Sequence, residues 1–177
     1  MTATLPEPAK RYPATHIRWA IRRDMDDILA IENAVFPLPW GEEDFIRCLR
    51  QRNSIGMVAE RDQFTAGFMI YELHKSRLQL LNFAVHPNHA RQGVGTALVN
   101  KLIGKLQPQR RSRILLEVRE TNLAAQMFFS AQGFQATSVL RNFYDEPDAN
   151  EDAYLFEYCI HSQTPLPKCS QDSNLPA

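Results

Sequence analysis

The segment Arg91-Gln92-Gly93-Val94-Gly95-Thr96 joins a strand-like run ending in Val85-His86-Pro87 to a stretch with helical periodicity. Two glycines two apart at a helix start let the backbone turn sharply and come close to an anion. The helix N-terminus adds unpaired N–H groups and the positive end of a dipole, which together make a phosphate site. Arg91 adds a charge-assisted hydrogen bond. The spacing lacks the third glycine of a dinucleotide fingerprint and the Gly-Lys-Ser/Thr ending of a P-loop. Taken alone, the segment reads equally as a phosphate cradle or as a strand-to-helix turn without a ligand.

Beyond the loop, Leu98, Leu102 and Leu106 recur at i, i+4 and i+8, predicting a helix from Gly95 that ends before Pro108. Residues 114–118, apolar but for Glu117, are expected to form a strand buried on both faces. Residues 123–132 predict a helix, with Gly133 at its C′ position. Two last strands, over about 134–142 and 153–160, flank an acidic loop. Upstream, residues 78–85 form a strand closed by Pro87, and 55–60 with 65–71 form an antiparallel hairpin about a polar turn. A short strand over 17–21 opens the body. Asp24 is placed as N-cap of a helix carrying Ile28, Ile31 and Val35 on one face. The Phe36-Pro37-Leu38-Pro39-Trp40 segment ends that helix, and a second begins near Glu42 with Phe45 and Leu49 four apart. The order β-α-α-β-β-β-α-β-α-β-β predicts an α/β chain, a mixed sheet with helices on both faces.

A chain of 177 residues fits one domain. The ends, 1–15 and 161–177, are rich in Pro, Ser, Thr, Gln and Asn and are expected to be flexible tails around a domain at 16–160. Twenty basic and twenty acidic residues cancel, so no global field draws the chain to nucleic acid or to an anionic membrane. No apolar run is long enough to span a bilayer and the N-terminus carries no signal-peptide core, so the expected location is cytoplasmic. Cys48, Cys159 and Cys169 stand far apart without a Cys-x-x-Cys pair, which argues for unpaired thiols and against a metal site.

The loop and the segments that follow it resemble the GNAT superfamily of N-acetyltransferases. Arg91 to Gly95 resembles motif A, in which backbone N–H groups hold the coenzyme A pyrophosphate. Asn82-Phe83-Ala84-Val85 resembles the splayed strand that pairs with the pantetheine arm. Leu116-Glu117-Val118-Arg119, Asn122, Ala124-Ala125 and Gly133-Phe134 match motif B in order and spacing. The likeness covers about residues 17–160. It implies the GNAT fold, a mostly antiparallel seven-stranded mixed sheet, with acetyl-CoA as co-substrate and no metal. It also implies acyl-donor contacts from Phe83, Ala84, Val85, Arg91, Gln92, Gly93, Val94, Gly95, Thr96, Asn122 and Phe129. Ala90 departs from motif A, whose first position is Arg or Gln.

Phe36 to Trp40 with Phe45, Leu116 to Arg119, Arg141-Asn142-Phe143-Tyr144 and Glu151-Asp152-Ala153 resemble the bacterial ribosomal-protein-alanine N-acetyltransferase branch more closely. That branch acetylates a protein N-terminal α-amine, and the resemblance implies that Trp40 and Tyr144 wall a peptide groove. The acidic stretch Asp145, Glu146, Asp148, Glu151 and Asp152 reads either as an attractor for a basic N-terminal segment or as a solvated loop. Glu117 matches the family's general base, and desolvation in an apolar strand would raise its pKa. The bland alternative is a carboxylate paired with Arg119 or Arg141. The family's proton-donating tyrosine falls at Phe129, which has no proton to give. The thiolate then leaves unassisted, the favoured account, or Tyr144 substitutes, or activity is reduced. Rival functions are acetylation of a small amine on the same fold and a non-catalytic acyl-CoA-binding module.

Overall fold

The computed structural model describes residues 14–146 and 149–160. The expected tails thus lie outside the described residues, apart from residues 14 and 15. Along the chain run β1 (His16–Trp19), α1 (Met25–Val35), α2 (Glu42–Leu49), β2 (Ser54–Arg61), β3 (Phe64–Leu73), β4 (Arg77–Val85), α3 (Val94–Ile103), β5 (Arg113–Arg119), α4 (Leu123–Ala131), β6 (Gln135–Glu146) and β7 (Ala149–Cys159). This is the order read from the sequence. The strands form one seven-stranded sheet, β1-β2-β3-β4-β5-β7-β6. Every neighbouring pair is antiparallel except β4 with β5.

Two apolar layers cover the sheet. On one face Leu98, Val99 and Leu102 of α3 and Phe129 of α4 meet Leu78, Leu80, Ile114, Leu116 and Phe156. On the other, Ile28 and Ile31 of α1 and Phe45 of α2 meet Val58, Phe68, Ile70 and Ala84. The β2–β3 hairpin turns through Asp62 and Gln63, both at positive φ (50° and 68°), as a two-residue turn matched to strand twist requires.

The functionally decisive feature is the β4–β5 junction. Its parallel ladder runs from the Arg77–Arg113 pair to the Leu80–Leu116 pair, yet β4 continues to Val85 and β5 to Arg119. Beyond Leu80 and Leu116 the two strands part, and the sheet opens into a fork.

Four sequence expectations need correction. Strand β5 is not buried on both faces: Ile114, Leu116 and Val118 are buried, while Leu115 and Glu117 alternate with them as half-buried residues facing away from the α3–α4 layer. Val35 is 40% exposed and Glu32, 1% exposed, occupies the buried stripe of α1 with Ile28 and Ile31. Helix α3 stops at Ile103, where Gly104 caps it; Leu106 reaches the core by a turn whose N–H bonds Ile103. The last two strands are longer than the alternation suggested, so Glu151 and Asp152 belong to β7 rather than to a loop. Both are engaged: Glu151 accepts from Arg119 at 2.8 Å and from the Thr121 N–H at 3.0 Å, and Asp152 from Arg141 and the Asn142 N–H. Asp148 and the side chains of Asp145 and Glu146 lie outside the described residues.

Candidate active site

The segment expected to bind phosphate, residues 91–96, lies between a 3-10 turn at Pro87–His89 and the body of α3. Gly93 caps the helix with φ +84°, and a Cβ there would meet open space, so its requirement is conformational. Gly95 is crowded for a different reason: a Cβ would stand 3.1 Å from Phe128 Cζ, so the ring would have to shift. Arg91 is exposed at φ 58°, a region costly for a side-chain-bearing residue and found at functional sites. The first intrahelical bond of α3 is Ala97 N–H to Gly93 O, so the amides of Val94, Gly95 and Thr96 have no intrahelical partner and remain for an anion. The Gln92 side chain turns inward, donating to Asn88 O and accepting from Arg61.

In the fork, the edge of β4 presents selected backbone groups. His86 N–H bonds Ala66 O across the β3–β4 ladder, and Phe68 faces Ala84. The alternation of an antiparallel ladder therefore turns the N–H groups of Phe83 and Val85 away from β3, toward the side where β5 lies. Ala84 is the exception among the three: its backbone faces β3 and its side chain is buried under α1 and α2. Below the fork, Phe83, Phe128, Phe129 and Phe134 form an aromatic cluster with centroids 5.1–5.7 Å apart.

A cleft of about 570 Å³ occupies the fork. It brings together Trp40, Phe83, Glu117, Asn122, Phe129 and Tyr144, six of the residues expected at the site. Its lining does not extend to Ala84, Val85 or the loop from Arg91 to Thr96, which adjoin it along β4 and α3. Asn122 caps α4, accepting from the Ala125 N–H at 3.0 Å. Tyr144 lies beneath the Arg119 guanidinium, whose Cζ is 3.9 Å from the ring centroid. Burial holds the Tyr144 phenol above its ordinary pKa, so it stays protonated at neutral pH; Arg119 opposes this and the Glu117 charge reinforces it.

Glu117 is held by neither of the arginines considered for it. Gln79 Nε2 donates to both of its oxygens at 2.9 Å. Burial raises its pKa above the usual carboxylate range, against the Gln79 hydrogen bond and the nearby Arg77 charge. A second carboxylate, Glu32, lines the same cleft. It accepts from the Trp40 N–H at 2.9 Å and from Asn82 Nδ2 at 3.0 and 3.1 Å, and burial raises its pKa too. The sequence reading missed Glu32 and Gln79, and took Asn82 only as part of the splayed strand, not as the partner of Glu32. A signal was present in each case: a polar residue at a stripe or strand position otherwise filled by Ile, Leu or Phe.

Among the described residues no group of His, Cys, Asp or Glu is arranged to hold a metal ion, and no helix is long and apolar enough to cross a membrane.

Comparison with known proteins places this geometry in context. The acetyltransferase (GNAT) family model matches residues 25–134. The ribosomal protein bS18-alanine N-acetyltransferase of Escherichia coli is 31% identical over 132 residues, 75% of this chain and 88% of that protein. An N-alpha-acetyltransferase of Sulfurisphaera tokodaii is 29% identical over 160 residues, 83% of this chain and 94% of its own. The crystal structure of the Escherichia coli ribosomal-protein-S18-alanine N-acetyltransferase superposes with a TM-score of 0.74 at 26% identity, covering 86% of this chain and 99% of that one.

Proposed function

This chain belongs to the acetyltransferase (GNAT) family, and from that premise we propose that it acetylates the N-terminal α-amine of a protein with Glu117 as general base. The acetyl donor is acetyl-CoA, as in the family at large. The residues present fit it: a strand edge with outward N–H groups at Phe83 and Val85, then open amides at the start of α3. Bound there, acetyl-CoA supplies an acyl thioester to the fork.

The observation that carries the reading is Glu117 itself, a half-buried carboxylate in the cleft, held by Gln79 and raised in pKa by desolvation. An α-amine has a pKa of about 8, so a modest base suffices to take its proton, directly or through one water. The Val85 N–H donates to the thioester oxygen as charge builds there. Phe129 offers no proton, and none is required, because a thiol of pKa about 8.5 is a tolerable leaving group. Trp40 and Tyr144 wall the acceptor groove. Relatives named for the alanine of ribosomal protein bS18 support a ribosomal protein N-terminal alanine as the acceptor.

The test is thiol release from acetyl-CoA with an alanine-starting peptide, set against polyamines and free amino acids. Glu117→Gln is expected to lower turnover on the peptide by about 10² or more, most between the pKa values of Glu117 and the α-amine, with the difference closing once wild-type Glu117 is itself protonated. Unchanged rates remove Glu117 from the mechanism, and preference for a small amine removes the protein acceptor.

A further inference from the structure

Arg61, the last residue of β2, is a charged side chain only 4% exposed. Its Nη1 donates to Gln92 Oε1 at 2.9 Å, and its Nη2 to the Gln92 backbone oxygen at 3.0 Å and to Thr15 Oγ1 at 2.8 Å. Gln92 Nε2 in turn donates to Asn88 O at 2.8 Å. The Gln92 side chain is therefore spent within the protein, bridging a buried guanidinium to the turn that precedes the phosphate loop.

The consequence lies in one peptide plane. A trans peptide sets the C=O of one residue antiparallel to the N–H of the next, and the described residues contain no cis peptide. With the Gln92 oxygen aimed at buried Arg61, the Gly93 N–H points the opposite way, out of the protein. Gly93 is exposed and has open space where a Cβ would be. Arg61 also places a cation behind a loop whose first position is Ala90.

We propose that Arg61 is a positioning residue for the donor's pyrophosphate: it holds Gln92 so that the Gly93 N–H faces the anion. This rests on the reading of Arg91 to Thr96 as the pyrophosphate loop. The experiment measures Kd for coenzyme A and for pantetheine, which lacks the pyrophosphate, on the full-length chain by calorimetry. The ratio of the pantetheine Kd to the coenzyme A Kd reports the grip on the nucleotide part, of which the pyrophosphate faces the loop. Arg61→Met is expected to reduce that ratio about tenfold, the scale of a hydrogen bond to a charged group, and Arg61→Lys to recover part of it. Should Arg61→Met fail to fold, Gln92→Ala at a half-exposed position decides, with a smaller loss in the same direction. An unchanged ratio in the folded variant, or equal weakening of both ligands, overturns the positioning role. A ratio near one in the wild type instead sinks the loop reading itself.

Discussion

Glu117 and Glu32 share a cleft and a raised pKa, yet their surroundings assign them different work. Glu32 is almost wholly enclosed, with its oxygens committed to Trp40 and Asn82. Glu117 is half-exposed and receives a single side-chain donor, which leaves lone pairs open to the cleft, as the proposed base requires. The raised pKa of Glu117 also fixes a sign for stability. Its carboxyl ionises at lower pH in the unfolded chain than in the folded one, so stability falls as pH rises through that window and stays reduced above it. Glu117→Gln removes that penalty. The expected outcome is a higher Tm than wild type at neutral pH, with the difference vanishing below the unfolded value. A variant less stable at neutral pH would show that the carboxylate serves the fold rather than the reaction.

At the scale of elements, Glu32 connects α1, the loop from Phe36 to Trp40, and β4. A proline-containing loop cannot continue α1, and the Trp40 N–H bonded to Glu32 fixes where it turns. The Trp40 ring then packs edge-on against Phe45 at 5.3 Å. Glu32→Ala leaves the Trp40 and Asn82 donors without partners inside the protein, at a cost of about 1–3 kcal/mol each way the site relaxes. Denaturant unfolding should register that loss. If the loop walls the acceptor groove as proposed, the KM for the peptide should rise more than the KM for acetyl-CoA. Equal changes in both would mean that the loop does not shape the acceptor groove.

For the whole molecule, the fork is a place where the sheet gives up pairing. Four residue pairs join β4 to β5, against seven joining β5 to β7, and the α3–α4 core carries the remaining connection. A donor lying between the strands, as proposed, would restore contacts that the chain leaves unmade, and would bind only the folded form. Acetyl-CoA at a hundred times its Kd should therefore stabilise the protein by about 2.7 kcal/mol, read as a rise in Tm. Gly93→Val should remove that rise, since a branched side chain cannot hold φ +84° without strain. A retained shift would argue against the loop as part of the donor site.

The sequence by itself determined what local chemistry and short-range pattern encode. The element order followed from periodicity and prolines, and Gly133 at φ +90° was legible as a helix C′ residue. The glycine loop was legible as well, together with Glu117 in a strand. What only the tertiary structure decided is which side chains hold these pieces. Gln79 reaches Glu117 across 38 residues, Asn82 reaches Glu32 across 50, and Arg61 reaches Gln92 across 31. Such partners depend on strand register and on where β4 and β5 separate, and no local spacing records either. The fork itself arises because a parallel ladder stops while both strands continue, a property of two distant segments meeting rather than of either one alone.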